Sequence, residues 1–156
     1  MDIRPAKESQ LLEVLYIIRE CAEQLRVKGV KHWHNTHIDY EVISKDIING
    51  YVYILFEKSV AVGTISIKPD EEISDAYNID RLAIFPHFQR RGFARAMIDF
   101  AESETRNQGK KVLRGTIPVD DESLCKLLEE KGFTNHGVVT QVPNEITKIL
   151  FEKKIE

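Results

Sequence analysis

The sequence predicts an α/β fold in a single domain, and three observations carry that prediction. Segments rich in β-branched and aromatic residues alternate with stretches of helical apolar spacing, and a strand-then-helix unit occurs twice in succession in the second half of the chain. The 156 residues, 42% of them apolar, are enough for one sizeable core, and no linker, repeat or low-complexity tract interrupts them. The expected domain spans residues 1–156.

A short strand is expected around Ile3. Leu11, Leu15, Ile18, Ala22 and Leu25 then keep helical spacing up to Gly29, a natural stop after Lys28. The polar and aromatic loop GVKHWHNTH leads to a second helix from about Asp39 to Asn49, which Gly50 closes. YVYILF and VAVGTISI read as strands, and the intervening EKS is short enough to pair them as an antiparallel hairpin. A third strand, YNIDRLAIF, stops at Pro86. The helix after it carries Phe93, Met97, Phe100 and Ala101 on one face and ends near Gly109. KVLRGTI is the next strand, and PVDDESLCKLLEEKGF supplies an acidic N-cap region, apolar Leu124, Leu127 and Leu128, and Gly132 as C-cap. The tail GVVTQVPNEITKILFEKKI reads as two strands about a Pro-Asn turn.

Twenty-two Lys and Arg against twenty-five Asp and Glu leave a formal net charge of -3, which argues against nucleic-acid binding and against a polybasic membrane anchor. Any anion site must therefore be local. The start, MDIRPAKESQ, lacks an export signal and no apolar run is long enough to cross a bilayer, so a cytoplasmic protein is expected. Cys21 and Cys125 have no CxxC partner and fall in helical segments, which suggests two free thiols in a reducing compartment and no cysteine metal site.

The stretch FPHFQRRGFARAMIDF, residues 85–100, concentrates positive charge where a strand gives way to a helix. A helix beginning just after Gly92 presents unsatisfied backbone N–H groups and the positive end of its dipole. Gly92 lets a ligand approach the backbone, Ala94 is nearly as small, and Arg90, Arg91 and Arg95 surround the same spot. Those parts suit a pyrophosphate, although a helix cap with solvated arginines has the same local sequence.

In its context, Gln89-Arg90-Arg91-Gly92-Phe93-Ala94 resembles the Q/R-x-x-G-x-G/A signature of the GNAT superfamily of acyl-CoA-dependent N-acyltransferases. The order of elements is similar to that family over nearly the whole chain, down to EEKGF, which resembles the family's YEKLGF. The resemblance implies a mixed, strongly twisted sheet flanked by helices, with acyl-CoA in a V-shaped opening. It implies a pyrophosphate cradle formed by Gln89, Arg90, Arg91, Gly92, Phe93, Ala94 and Arg95, and backbone pairing of Leu82, Ala83 and Ile84 with the pantetheine arm. The implied activity is transfer of an acetyl group from the co-substrate acetyl-CoA to a primary amine of a small molecule or peptide, by direct attack in a ternary complex. A homodimer is compatible with the family.

A lysine-like amine has a pKa near ~10.4, so the reaction must remove a proton. Strand alternation puts Asn78, Asp80 and Leu82 on one face and Ile79, Arg81 and Ala83 on the other. Similar family members often place an acidic or basic group where Asp80 stands, which makes Asp80 the candidate base. An aspartate, ordinarily near ~3.9, is a weak base, so abstraction through water with some upward shift from burial is expected. The competing role for Asp80 is to pair with a nearby cation or to cap a strand bulge.

The resemblance breaks at Leu128, where the family commonly carries the tyrosine that protonates the departing thiolate; its usual helix-start asparagine corresponds to Asp121. A thiol near ~8.5 still leaves as a tolerable thiolate, and a general acid contributes roughly 10²–10⁴-fold, so slow catalysis remains open. Cys125 lies one helical turn before Leu128, but a small core residue is its simpler role. His32, His34 and His37 lack a fourth ligand or helical spacing, so no metal is expected. Family geometry places Trp33 and His34 beside the acceptor, and Trp33 pinning its loop to the core is the alternative. A non-catalytic acyl-CoA-binding or sensor module, or an interaction domain retaining only the fold, are the competing functions.

Overall fold

The computed structural model describes residues 1–29, 40–139 and 147–156. Among these residues seven strands form a mixed sheet: β1 (Asp2–Pro5), β2 (Val52–Glu57), β3 (Val60–Pro69), β4 (Ala76–Ile84), β5 (Val112–Pro118), β6 (Thr134–Val139) and β7 (Lys148–Lys154). Among the described residues the helices are α1 (Leu11–Val27), α2 (Tyr40–Ile48), α3 (Phe93–Asn107) and α4 (Glu122–Glu130). By packing, the chain falls into two compact units. One comprises Met1–Ile67 with Asp80–Phe100, the other Lys68–Ile79 with Ala101–Glu156, and β3, β4 and α3 contribute residues to both.

In the first unit the strand order is β1-β2-β3-β4, with β1–β2 and β2–β3 antiparallel. Lys58 and Ser59 form the two-residue hairpin turn with φ of 51° and 72°, a left-handed pair usually reserved for Asn-Gly. The core gathers Val14, Ile17 and Ile18 of α1, Ile43 and Ile47 of α2, and Ile54 of β2. A charged pair is enclosed as well. Arg81 and Asp46 are only 7% and 5% exposed, and the guanidinium of Arg81 bonds the Asp46 carboxylate and lies 3.4 Å from the hydroxyl of Ser66. Arg81 takes a φ of 48° in mid-strand, a bulge-like backbone state that a side-chain-bearing residue adopts at a cost.

In the second unit the order is β4-β5-β7-β6. The parallel pairing of β4 with β5 joins Ala76, Tyr77 and Asn78 to Val112, Leu113 and Arg114, and β5 pairs β7 antiparallel along its full length. The tail begins its first strand at Thr134, earlier than the apolar pattern indicates. Thr-Asn-His-Gly has little strand propensity, and its pairing with β7 and a bulge at Gly137 (φ 92°) impose the extension. The expected Pro-Asn turn lies outside the described residues.

Asp70, between β3 and β4, organises this unit. Its carboxylate accepts from the backbone N–H of Glu72 (2.9 Å) and Ile73 (2.7 Å), from the Asn78 amide (2.8 Å) and from Arg114 (3.2 Å). Burial opposes its ionisation, but the N–H of Ile73, the Asn78 amide, the N–H of Glu72 and Arg114 outweigh it and hold the carboxyl below the ordinary aspartate range. A depressed folded value stabilises the fold above the unfolded pKa, near ~3.9, and that stabilisation is lost as pH falls through the folded value. Asp70→Asn should therefore cost about 2 kcal/mol at neutral pH, and the cost should shrink in acid. Urea unfolding of both proteins between pH ~7 and ~2 checks this; a difference independent of pH would remove the charge from the explanation.

Among the described residues, no helix is long and apolar enough to cross a membrane.

Candidate active site

The site is built at the end of β4. Phe85 donates its N–H to Val62 at 2.7 Å, so residues 83 and 85 turn their main-chain groups toward β3 and residues 82 and 84 turn theirs away. A Cβ on Gly63 would lie 3.2 Å from the Ala83 carbonyl and 2.7 Å from Cδ1 of Ile84, so the two strands approach closely here and a side chain would require Ile84 to shift. Of the three backbone positions expected to meet pantetheine, Ala83 is thus committed to the β3 side. The Ile84 carbonyl is occupied too: it accepts from the Cys21 thiol at 2.9 Å and from the Gln89 amide at 2.8 Å. Leu82 and the N–H of Ile84 keep their orientation away from β3.

Pro86 ends the strand and starts a short 3-10 turn over Pro86–Phe88, in which Phe88 donates back to Phe85 at 2.8 Å. The next four residues form the loop. Gln89 anchors it through its side chain, because Nε2 also donates to Oε1 of Gln24 on α1 at 2.8 Å. Arg90 and Gly92 have φ of 65° and 83°, two left-handed residues around Arg91. The first α-helical bond runs from the N–H of Ala96 to the carbonyl of Gly92 at 3.0 Å, so the first-turn amides ahead of it are the unsatisfied donors of α3.

This loop fits an anion in two ways. A Cβ at Gly92 would meet nothing within 4 Å, so the backbone faces open space, and no acidic residue occupies the first turn of α3. Arg90, Arg91 and Arg95 are exposed, and the Arg91 guanidinium lies 5.1 Å over the ring of Phe88. Phe93 is buried at 9% exposure, which leaves its backbone amide as the group that can reach a ligand, and Ala94 is half-buried.

Asp80 lies four residues before Ile84 in the same unit. Its Oδ1 accepts from the N–H of Arg81 at 2.9 Å, and Oδ2 is 3.5 Å from the Arg81 guanidinium. The expected burial is not found: 40% of the Asp80 side chain is exposed, because the partner buried under the strand is Arg81. Exposure leaves the carboxylate within reach of water.

In the second unit Leu128 is 2% exposed, a core residue, and Cys125 is buried with its thiol pushed up to about 11 by burial and then by the nearby charges of Asp121, Glu129 and Glu122. It stays protonated, as a small core residue would. Asp121 caps α4 by accepting from the N–H of Leu124. Cys21, in the first unit, is pushed up to about 12, chiefly by burial, and acts as a thiol donor to Ile84. Trp33 and His34, and the histidines around them, lie outside the described residues.

Sequence reasoning missed Gln24, Cys21 and the Arg81–Asp46 pair. Arg81 left one signal, a charge at an inward-facing strand position between Ile79 and Ala83, which requires a buried partner. Gln24 left none, since its partner is 65 positions away.

A left-handed glycine in an arginine-lined loop between a strand and a helix N-terminus is an arrangement whose free amides and positive charge suit an anion. Residues 21–155 match the family model described as Acetyltransferase (GNAT) domain, and the chain belongs to this acetyltransferase family. Solved structures agree on the fold. YncA from Salmonella typhimurium, solved with its cofactor acetyl-CoA, has a TM-score of 0.80 at 17% identity, covering 100% of this chain and 94% of that one. The ribosomal-protein-alanine N-acetyltransferase from Brucella melitensis has a TM-score of 0.80 at 19% identity, with 99% of both chains covered. The PaiA N-acetyltransferase from Thermoplasma acidophilum, in complex with coenzyme A, has a TM-score of 0.78 at 17% identity, with 98% of both covered. No curated protein sequence matches the chain with significance.

Proposed function

We propose that residues 1–156 form one cytoplasmic N-acetyltransferase domain that transfers an acetyl group from acetyl-CoA to a primary amine of a small molecule or peptide, by direct attack in a ternary complex. The observation that carries this reading is Gly92, left-handed and open at the start of α3, with Arg90, Arg91 and Arg95 around it. Family membership and the coenzyme-bound neighbours support it. The pyrophosphate would lie on the amides of Arg90 to Ala94, and the pantetheine arm would pair with Leu82 and the N–H of Ile84. Bound acetyl-CoA supplies the thioester carbonyl that the amine attacks. Asp80, exposed and anchored by Arg81, would take the amine proton through water. Trp33 and His34 would border the acceptor.

The buried Leu128 favours a second reading, an acyl-CoA-binding module that does not turn over, since no phenol at that position protonates a thiolate. One assay separates the two. Coenzyme A thiol release is followed with a panel of amines, amino acids, polyamines and peptides, including peptides with N-terminal alanine because the Brucella neighbour is named for that acceptor. Release above the hydrolysis rate with at least one amine is expected. Tight acetyl-CoA binding with no release from any of them would leave the binding module.

A further inference from the structure

The loop that carries Arg90 and Gly92 is held from one side by a helix far away in sequence. Gln89 has two amide hydrogens, and both are used: one goes to the Ile84 carbonyl and the other to Oε1 of Gln24, each at 2.8 Å. The Ile84 carbonyl also takes the Cys21 thiol, so α1 reaches this corner through two residues one turn apart. Gln89 immediately precedes Arg90, whose φ of 65° is unfavourable for any residue with a side chain. A rigid anchor next to a strained residue is what keeps such a conformation populated.

We propose that Gln24 is a positioning residue for the coenzyme loop: by accepting from Gln89 it locks the side chain that holds Arg90 and Gly92 in their left-handed states, so that the first-turn amides of α3 face the pyrophosphate together. The proposal rests on the acetyl-CoA reading above. Without the Gln24 acceptor, Gln89 keeps only its bond to the Ile84 carbonyl and its rotamer is less tightly held, the binding-competent loop is only fractionally populated, and apparent affinity falls by that fraction. Gln24 touches neither substrate nor coenzyme, so it should act on affinity for coenzyme A and on KM for acetyl-CoA while kcat stays near wild type.

The test is calorimetric binding of coenzyme A to the wild type, Gln24→Met, Gln24→Glu, Gln89→Met and the Gln24→Met/Gln89→Met double variant, at roughly 0.5 M salt to screen the charge that Gln24→Glu adds. Gln24→Met keeps the length and removes the acceptor. It should weaken binding by roughly three- to tenfold, the factor carried by one net hydrogen bond. Gln24→Glu retains an acceptor oxygen and should restore binding to within about twofold of wild type. The double variant should be no weaker than Gln89→Met alone, because both changes break the same tether. Wild-type affinity in Gln24→Met, or losses that simply add in the double variant, would overturn the positioning role while leaving the acetyl-CoA reading intact. Failure of the wild type to bind coenzyme A would overturn both. Thermal melts of all variants give the fold control, since a packing role alone would lower Tm in Gln24→Glu as well and leave affinity unmoved.

Discussion

Asp80→Asn is expected to lower kcat/KM by roughly 10²–10⁴-fold, the range that general-base catalysis supplies, with acetyl-CoA affinity nearly unchanged. The substitution suits the local geometry. Asparagine keeps an Oδ1 acceptor for the N–H of Arg81, so the bulge survives, and it removes only the charge and the basicity. Loss of the 3.5 Å ion pair with Arg81 should matter little to folding, because Asp80 is substantially exposed and Arg81 keeps its buried partner Asp46. The pH profile is the sharper readout, since the acidic limb of kcat/KM should shift or vanish when the base is removed. Rates measured against pH for both proteins, with any amine that the panel identifies, decide the matter. An unchanged profile would leave Asp80 as the cap of its bulge, and the amine would then lose its proton to bulk water before binding.

Gly92→Asp should weaken coenzyme A binding by about a thousandfold, far more than it weakens the fold. Two effects combine. At φ 83° a side chain is strained whatever the space around it, although aspartate tolerates the left-handed region better than most residues. The new carboxylate would also point into the open space that the loop faces. A unit charge about 4 Å from a phosphate at an effective dielectric near ~20 costs about 4 kcal/mol, which is the thousandfold. Nothing lies within 4 Å of the added Cβ, so the folded chain has room for it. Calorimetry with coenzyme A and a denaturation curve on the same variant separate binding from stability. Equal affinity in a folded Gly92→Asp protein would place the pyrophosphate elsewhere.

Most of the chain order was legible because its signals are local. Helical spacing ending at Gly29, a hairpin between two β-branched strands, and a proline closing β4 each depend on neighbours within a few residues, and the structure places each element within about two positions of that pattern. The loop from Gln89 to Ala94 was legible for the same reason, since a helix start, a glycine and a cluster of arginines are contiguous. The exceptions are informative. Thr134 to His136 became strand because β7 was available to pair, and Lys58-Ser59 adopted a turn that its residue types do not advertise because the two strands on either side demanded it.

By itself, then, the sequence determined the order of elements, the glycine and arginine loop at the start of α3, the acetyltransferase resemblance, and the absence of a tyrosine where Leu128 stands. Tertiary structure alone decided which backbone groups of β4 are spent, because the Ile84 carbonyl is taken by Cys21 and Gln89, partners separated from it by 63 and by 5 positions. It also decided that Arg81 is the buried member of the Asp80-Arg81 pair, through Asp46 on a helix 35 residues earlier, which leaves Asp80 in contact with solvent. The physical reason is common to both cases. Hydrogen bonds and ion pairs between distant segments follow from where packed elements bring side chains together, and that proximity has no period along the chain.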